Sequence, residues 1–356
     1  MELKELAEEL ERQKRNSKDA VVSTRELHTY VEPREGELKL AGSTIGAYPL
    51  TEWAHTQLAE KTGIPQKYYQ RMREEGHLEL LAANVNTWLS YDDSDVLVRI
   101  LDGNVRAILS NRYRVMDNYD LLFCALDEFK RYGVDIHRCD LSDMHMYIKV
   151  IKPHEIREIV EDDKVVPGLV LTNSEVGAGA LKVEPFMLRL ICENGLIGEN
   201  VVRRVHLGRR REKTDDIWSD ETWRKRDETL WSEVRDVIRA TFDPEIFEEW
   251  VDKLRRGTEV EVESPTRAVD NIAVKYNISD EKKKDLLDYF TTKEAPTQWG
   301  LANAVTRIAQ EEEKPENQVE LEKIGNEIAI LEPEEFLRLT EEEEAEENKR
   351  KRKRKK

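Results

Sequence analysis

The chain has 356 residues, 39% apolar and 37% charged, enough material for two compact domains or for one large domain with helical extensions. Its formal charge of −17 argues against a protein that coats duplex DNA over its whole surface, although segregated charges still allow local basic patches. Cys124, Cys139 and Cys192 lack CxxC spacing, no run reaches the roughly 18 apolar residues of a membrane span, and the start MELKELAEELERQKR has no apolar signal core; a reducing, cytoplasmic setting is expected.

In chain order, Leu3, Leu6, Ala7 and Leu10 predict a short amphipathic helix. VVSTRELHTYVEP and GELKLAGSTIGAYPL read as short strands broken by Pro33, Gly36, Gly42 and Gly46. Thr51 is an N-cap for TEWAHTQLAEK, Gly63 to Pro65 separates that helix from the next, and HLELLAANVNTWL predicts a third. DVLVRIL and NVRAILS flank Asp102-Gly103, a hairpin signal, and Asp117 or Asn118 caps a helix ending at Gly133, with Leu122, Leu126 and Phe129 on its buried face. VDIHRCDL and MHMYIKVI form a further strand pair. A meander follows, with turns expected at Val176-Gly177 and Asn194-Gly195. From Asp220 the apolar spacing is helical, Pro265 opens a last set of helices ending with WGLANAVTRIAQ, and beyond residue 333 an acidic block precedes eight consecutive Lys/Arg residues, 349–356.

The expected fold class is therefore α+β: an antiparallel sheet, built from a hairpin-helix unit and a meander, packed with helices and followed by an all-helical C-terminal part and a charged disordered tail. The corresponding divisions are a helix over 1–16, a mixed core over 17–212, a helical region over 213–333 and a tail over 334–356.

LTEWAHTQLAEKTGIPQKYY, VRAILSNRYRVMDN, LTNSEVGAGALKVEPFMLRLICENGLI and WGLANAVTRIAQ, in that order, resemble the phage- and plasmid-borne family known as domain of unknown function 932. The resemblance spans roughly residues 45 to 330 and implies a mobile-element setting. It brings no catalytic residue with it.

Arg203, Arg204, Arg209, Arg210 and Arg211 crowd one segment, with Trp218 close behind; guanidinium groups and rings in proximity suit single-stranded nucleic acid, the first holding phosphates and the second stacking on bases. The alternative is a solvated loop whose cations pair with Glu212, Asp215 and Asp216. Arg106, Arg112 and Arg114 alternate along a segment read as extended and would share a face, with Tyr113 opposite, as a row of phosphate contacts; the alternative is that Arg112 and Asp117 fix the strand-to-helix corner. Asn173, Ser174 and Glu175 precede a glycine turn, a position where a ligand can approach the backbone, and Asn194 sits by a second turn. His137, Cys139 and His145 could meet at a metal only with a fourth ligand that the sequence does not supply; no metal and no cofactor are expected.

These features favour a single-strand-binding or annealing protein that acts on DNA in replication or recombination and self-associates. A nuclease or nucleotide-processing enzyme centred on Asn173 and Glu175 is the second reading, and a counter-defence or regulatory protein that binds other proteins is the third.

Overall fold

The computed structural model describes residues 2–34, 36–191, 194–198, 202–204, 220–312 and 315–341. Antiparallel strands form three sheets, and helices cover them, so the α+β expectation holds. Arg209, Arg210, Arg211, Trp218, Cys192 and the basic end of the tail lie outside the described residues.

The N-terminal part contains two three-stranded sheets. One joins β1 (Ser17–Ser23), β5 (Asp95–Leu101) and β6 (Asn104–Ser110); the other is the meander β2 (His28–Val31), β3 (Leu38–Gly42) and β4 (Gly46–Pro49). The β5–β6 hairpin turns at Asp102-Gly103, both in the left-handed region at φ 50° and 76°, the geometry that Asp-Gly favours in two-residue hairpins. Between the sheets and solvent lie α2 (Glu52–Thr62), α3 (Gln66–Glu74) and α4 (Leu78–Tyr91). The Thr51 hydroxyl caps α2 by accepting from the Ala54 amide, and Gly63 ends it at φ 66°. Leu40, Leu58, Leu81, Val85 and Val98 are among the fully buried residues of this lobe's core.

The central sheet has seven strands: β12 (Asn194–Ile197), β11 (Leu181–Arg189), β10 (Asp163–Asn173), β8 (Met146–Ile151) and β7 (Asp135–Leu141) in that order, with β9 (Arg157–Val160) on β10 and β13 (Val202–Arg204) on β11. Met146, Ile148, Val150, Leu169, Leu171, Leu181 and Val183 form its inner face, which packs on α1 (Leu3–Asn16), α5 (Asn118–Tyr132) and α6 (Asp220–Thr241). The period-2 alternation of these strands is what assigns residues to one face or the other.

The second expected turn falls elsewhere. Asn194 and Gly195 lie inside β12, opposite Arg189 and Leu188. Gly195 is required by an aromatic ring and not by a turn: a Cβ there, or at Gly168 on the neighbouring strand, would run into the buried Phe186 ring.

The C-terminal part is helical, as expected: α7 (Pro244–Thr258), α8 (Pro265–Lys275), α9 (Asp280–Lys293), α10 (Gln298–Ala309), α11 (Pro315–Ile330) and α12 (Pro333–Glu341). They share one core with Val165, Met187 and Leu196 of the sheet. Regular structure extends further into the tail than composition suggested. In α12, Phe336 is fully buried, and Asn271 donates to the carbonyls of Leu339 and Thr340.

In α5 the buried face is Leu121, Leu122, Ala125 and Phe129, while Leu126 is only half-buried. Leu122→Ala should therefore cost about 2–5 kcal/mol in a urea melt, and Leu126→Ala should fall below that range. A second prediction concerns pH. His55 is buried with its ring nitrogen 2.9 Å from the Tyr69 hydroxyl, and burial, reinforced by Arg73, pulls its pKa from 6.5 down to about 4. The folded chain holds the neutral ring, so this contribution is complete above the ordinary histidine pKa and is lost as pH falls toward the folded value. The loss should be on the order of 3 kcal/mol, and a His55→Gln variant should show a correspondingly smaller drop in urea midpoint between pH 7 and 4.5.

Candidate functional site

The Asn173–Glu175 turn is anchored by hydrogen bonds on several sides. Asn173 donates to the Met116 carbonyl at 2.8 Å and to the Asn118 side chain at 2.9 Å. The Ser174 hydroxyl accepts from the Ala178 amide at 3.0 Å, and the Ser174 carbonyl accepts from the Tyr113 hydroxyl at 2.9 Å. Glu175 takes the Asn118 amide on one oxygen at 2.6 Å and the Arg106 guanidinium on the other at 2.8 Å. The Val176 carbonyl accepts from both Trp53 and Gln57. Gly177, at φ 80°, lies against Leu109, where a Cβ would clash. All three polar residues are buried, and their hydrogen-bonding groups are committed to neighbours. They form a clasp between the central sheet and the N-terminal lobe.

Arg99 sits behind this clasp, 3% exposed at its side chain. Its guanidinium donates to the Glu175 carbonyl at 3.0 Å, to Asp19 at 3.0 Å and to Asp117 at 2.8 Å. Burial pushes the Asp117 carboxyl up, but Arg99 and Lys14 outweigh it and hold the group below its ordinary value. Asp117, the N-cap of α5 by backbone position, makes no side-chain capping bond because both its oxygens serve these cations.

The three alternating arginines do not form a row. β6 ends at Ser110, and the chain turns there, with the Tyr113 amide bonded to the Ser110 carbonyl. Arg106 is consumed by Glu175, Arg114 pairs with Asp227 of α6, and Arg112 alone of the three is exposed. His137, Cys139 and His145 do not assemble either: among the described residues no three His, Cys, Asp or Glu side chains could hold a metal ion.

The outer face of the central sheet carries what sequence reasoning missed. Direct cross-strand pairing places Asp140, Tyr147, Thr172, Lys182 and Arg203 in one row across β7, β8, β10, β11 and β13, and Arg138, Lys149, Val170 and Glu184 in the next. Residues paired in this way point to the same face. Helix α11 lies across the second row and presents Gln318, Val319, Glu322 and Lys323, which share one helical face. Arg138 donates to Gln318 at 2.8 Å, Lys149 reaches Glu322 at 2.6 Å, and Lys323 pairs with Glu184. Burial drives Lys149 and Glu322 toward their neutral forms, and their mutual contact opposes it.

Beyond α11 the first row opens into a cleft of about 640 Å³. Its walls include Arg138, His145, Tyr147, Thr172, Lys182 and Glu184, with Ala178 to Ala180 at one rim. Lys182 is half-buried and makes no ion pair among the described residues; burial lowers its pKa, with Lys323 and Arg203 adding to the effect and Glu184 opposing it. Arg203 is exposed at the end of the row, so one expected binding residue does reach this face, whereas only the backbone positions of Arg204 and Asn194 are described. A signal existed: Tyr147 and Lys149, and Lys182 and Glu184, alternate with apolar residues in strands otherwise fit for burial.

The clasp makes a direct prediction. Arg99→Ala leaves two carboxylates without their shared cation and should cost about 3–5 kcal/mol in chemical denaturation. Arg99→Lys should recover little of it, because one ammonium cannot span three acceptors set by a planar fork.

No curated protein and no solved structure matches the chain. A family model does match, over residues 106–355, so it starts after the α2 to α4 helices and runs through the whole outer-face cleft. With that span covering most of its length, the chain belongs to the family described as a domain of unknown function, DUF932.

Proposed function

We propose that this protein binds single-stranded nucleic acid along the outer face of the central sheet, with phosphates seated over Lys182 and Arg203. The observation that supports it is the half-buried Lys182 amine in an open cleft, without an ion pair among the described residues, where burial and then the cations Lys323 and Arg203 lower its proton affinity. Glu184 is already engaged by Lys323, so an anion that also reaches Lys182 and Arg203 stabilises the gathered cations, and a phosphate supplies one. Tyr147 and His145 give the cleft rings as well as charge, a combination suited to bases and backbone together.

Binding is preferred over strand cleavage because Asn173 and Glu175, the groups that suggested an enzyme, are spent on the clasp. A role in replication or recombination, and self-association on a strand, follow as extensions of the same reading.

Fluorescence anisotropy of a labelled single strand over a salt series tests it. Lys182→Ala should weaken binding and reduce the slope of log K against log salt by about 0.7, the contribution of one phosphate on a single strand, and Arg203→Ala should act similarly. Absence of binding at low salt, or a slope untouched by both variants, would remove the cleft from the account.

A further inference from the structure

Among the described residues, two polar atoms on the cleft residues have no hydrogen-bond partner: the Tyr147 hydroxyl and one carboxylate oxygen of Glu184, Oε2. Tyr147 is 6% exposed and Glu184 fully buried, so bulk solvent does not reach these atoms. Native structures rarely leave such groups unsatisfied without a use for them. Of their charged neighbours, Lys149, Arg138 and Lys323 hold other partners on this face, and Lys182 makes no ion pair among the described residues.

The chemistry of the two atoms is complementary. Burial keeps the Tyr147 phenol protonated, its pKa raised well above the ordinary value, so it can donate. Glu184 has Lys323 on its other oxygen, so Oε2 is left to accept. They stand on either side of β10 in adjacent rows, and with strands about 4.8 Å apart their backbones are separated by roughly 10 Å, within the span of one heterocycle and the two side chains that reach it.

We infer that these two groups select the base of the bound strand, favouring bases with an exocyclic amino group over thymine or uracil. This rests on the single-strand reading above and adds the identity of the base. An amino N–H meets the Glu184 oxygen, while the adjacent ring nitrogen or carbonyl accepts from Tyr147. Thymine offers one ring N–H flanked by two carbonyl oxygens, which repel the carboxylate. Val319 of α11 packs on the cluster that contains Tyr147 and also lines the cleft, so an apolar helix edge borders the place where the base would sit.

The experiment compares oligodeoxycytidylate with oligodeoxythymidylate of equal length, by anisotropy at one low salt concentration, on the full chain and on Tyr147→Phe, Glu184→Gln and Lys182→Ala. The full chain should bind the cytosine strand about tenfold more tightly, the order that one good base contact gives. Tyr147→Phe should narrow that gap while leaving the salt slope unchanged and the melting temperature undiminished, since it removes only an unpartnered hydroxyl. It carries the test even where Glu184→Gln folds poorly through loss of the Lys323 pair. Equal binding of the two strands, with Lys182→Ala still weakening both, overturns the base selection and leaves the binding reading intact. A gap that survives Tyr147→Phe overturns Tyr147's part and leaves the hydroxyl to a resident water. Failure of both strands to bind at low salt overturns both proposals together.

Discussion

A single buried guanidinium, Arg99, holds the two halves of this molecule in register. It cannot be solvated where it sits, so it must be answered by acceptors, and those come from three places far apart in the chain: Asp19 on β1, Asp117 at the start of α5, and the Glu175 carbonyl in the β10–β11 turn. An unanswered buried charge is costly, and the geometry that answers this one fixes where the first sheet, the helix and the turn can lie relative to one another. Arg106 and Glu175 repeat the arrangement one residue pair away.

That constraint divides the β10–β11 hairpin into a clamped tip and an open outer face. At its tip, polar side chains are locked into the N-terminal lobe and have no freedom left for a substrate. Along its outer face, Lys182 and Glu184 project from a sheet whose inner face is fully covered by α1, α5 and α6. A clamped tip keeps the strands, and with them the cleft floor, in a fixed position. Preorganisation of that kind lowers the ordering cost of holding a ligand.

Helix α11 completes the cleft through charged groups set among apolar ones. Exchanging the Lys149–Glu322 pair for apolar residues could leave the fold as stable or more so, so stability alone does not account for it. What it does supply is placement: at i and i+4 on one helical face, Gln318 and Glu322 meet Arg138 and Lys149 from a single cross-strand row, and a slip of the helix would separate both contacts at once. The Lys149 ammonium also rests 4.7 Å from the centre of the Phe186 ring, which is itself held by the space left at Gly168 and Gly195.

Local chemistry determined much of this protein from the sequence. Asp102-Gly103 had to turn a hairpin, Thr51 and Gly63 had to bound a helix, and the amphipathic stretches beyond Asp220 had to become helices, because each outcome depends on residues within a few positions of one another. The basic segment was legible as clustered charge and read as a binding site, and its residues 205–219 lie outside the described residues. Only the tertiary structure decided that Glu175 is a structural anion, since its partners Arg106 and Asn118 are dozens of residues away and nothing in NSEVG announces them. The row from Asp140 to Arg203 is a property of strand register, set by which strands pair and by how far each is shifted. Spacing along the chain carries no record of that register, so a lysine in β11 and a tyrosine in β8 become one cleft only when the sheet is built.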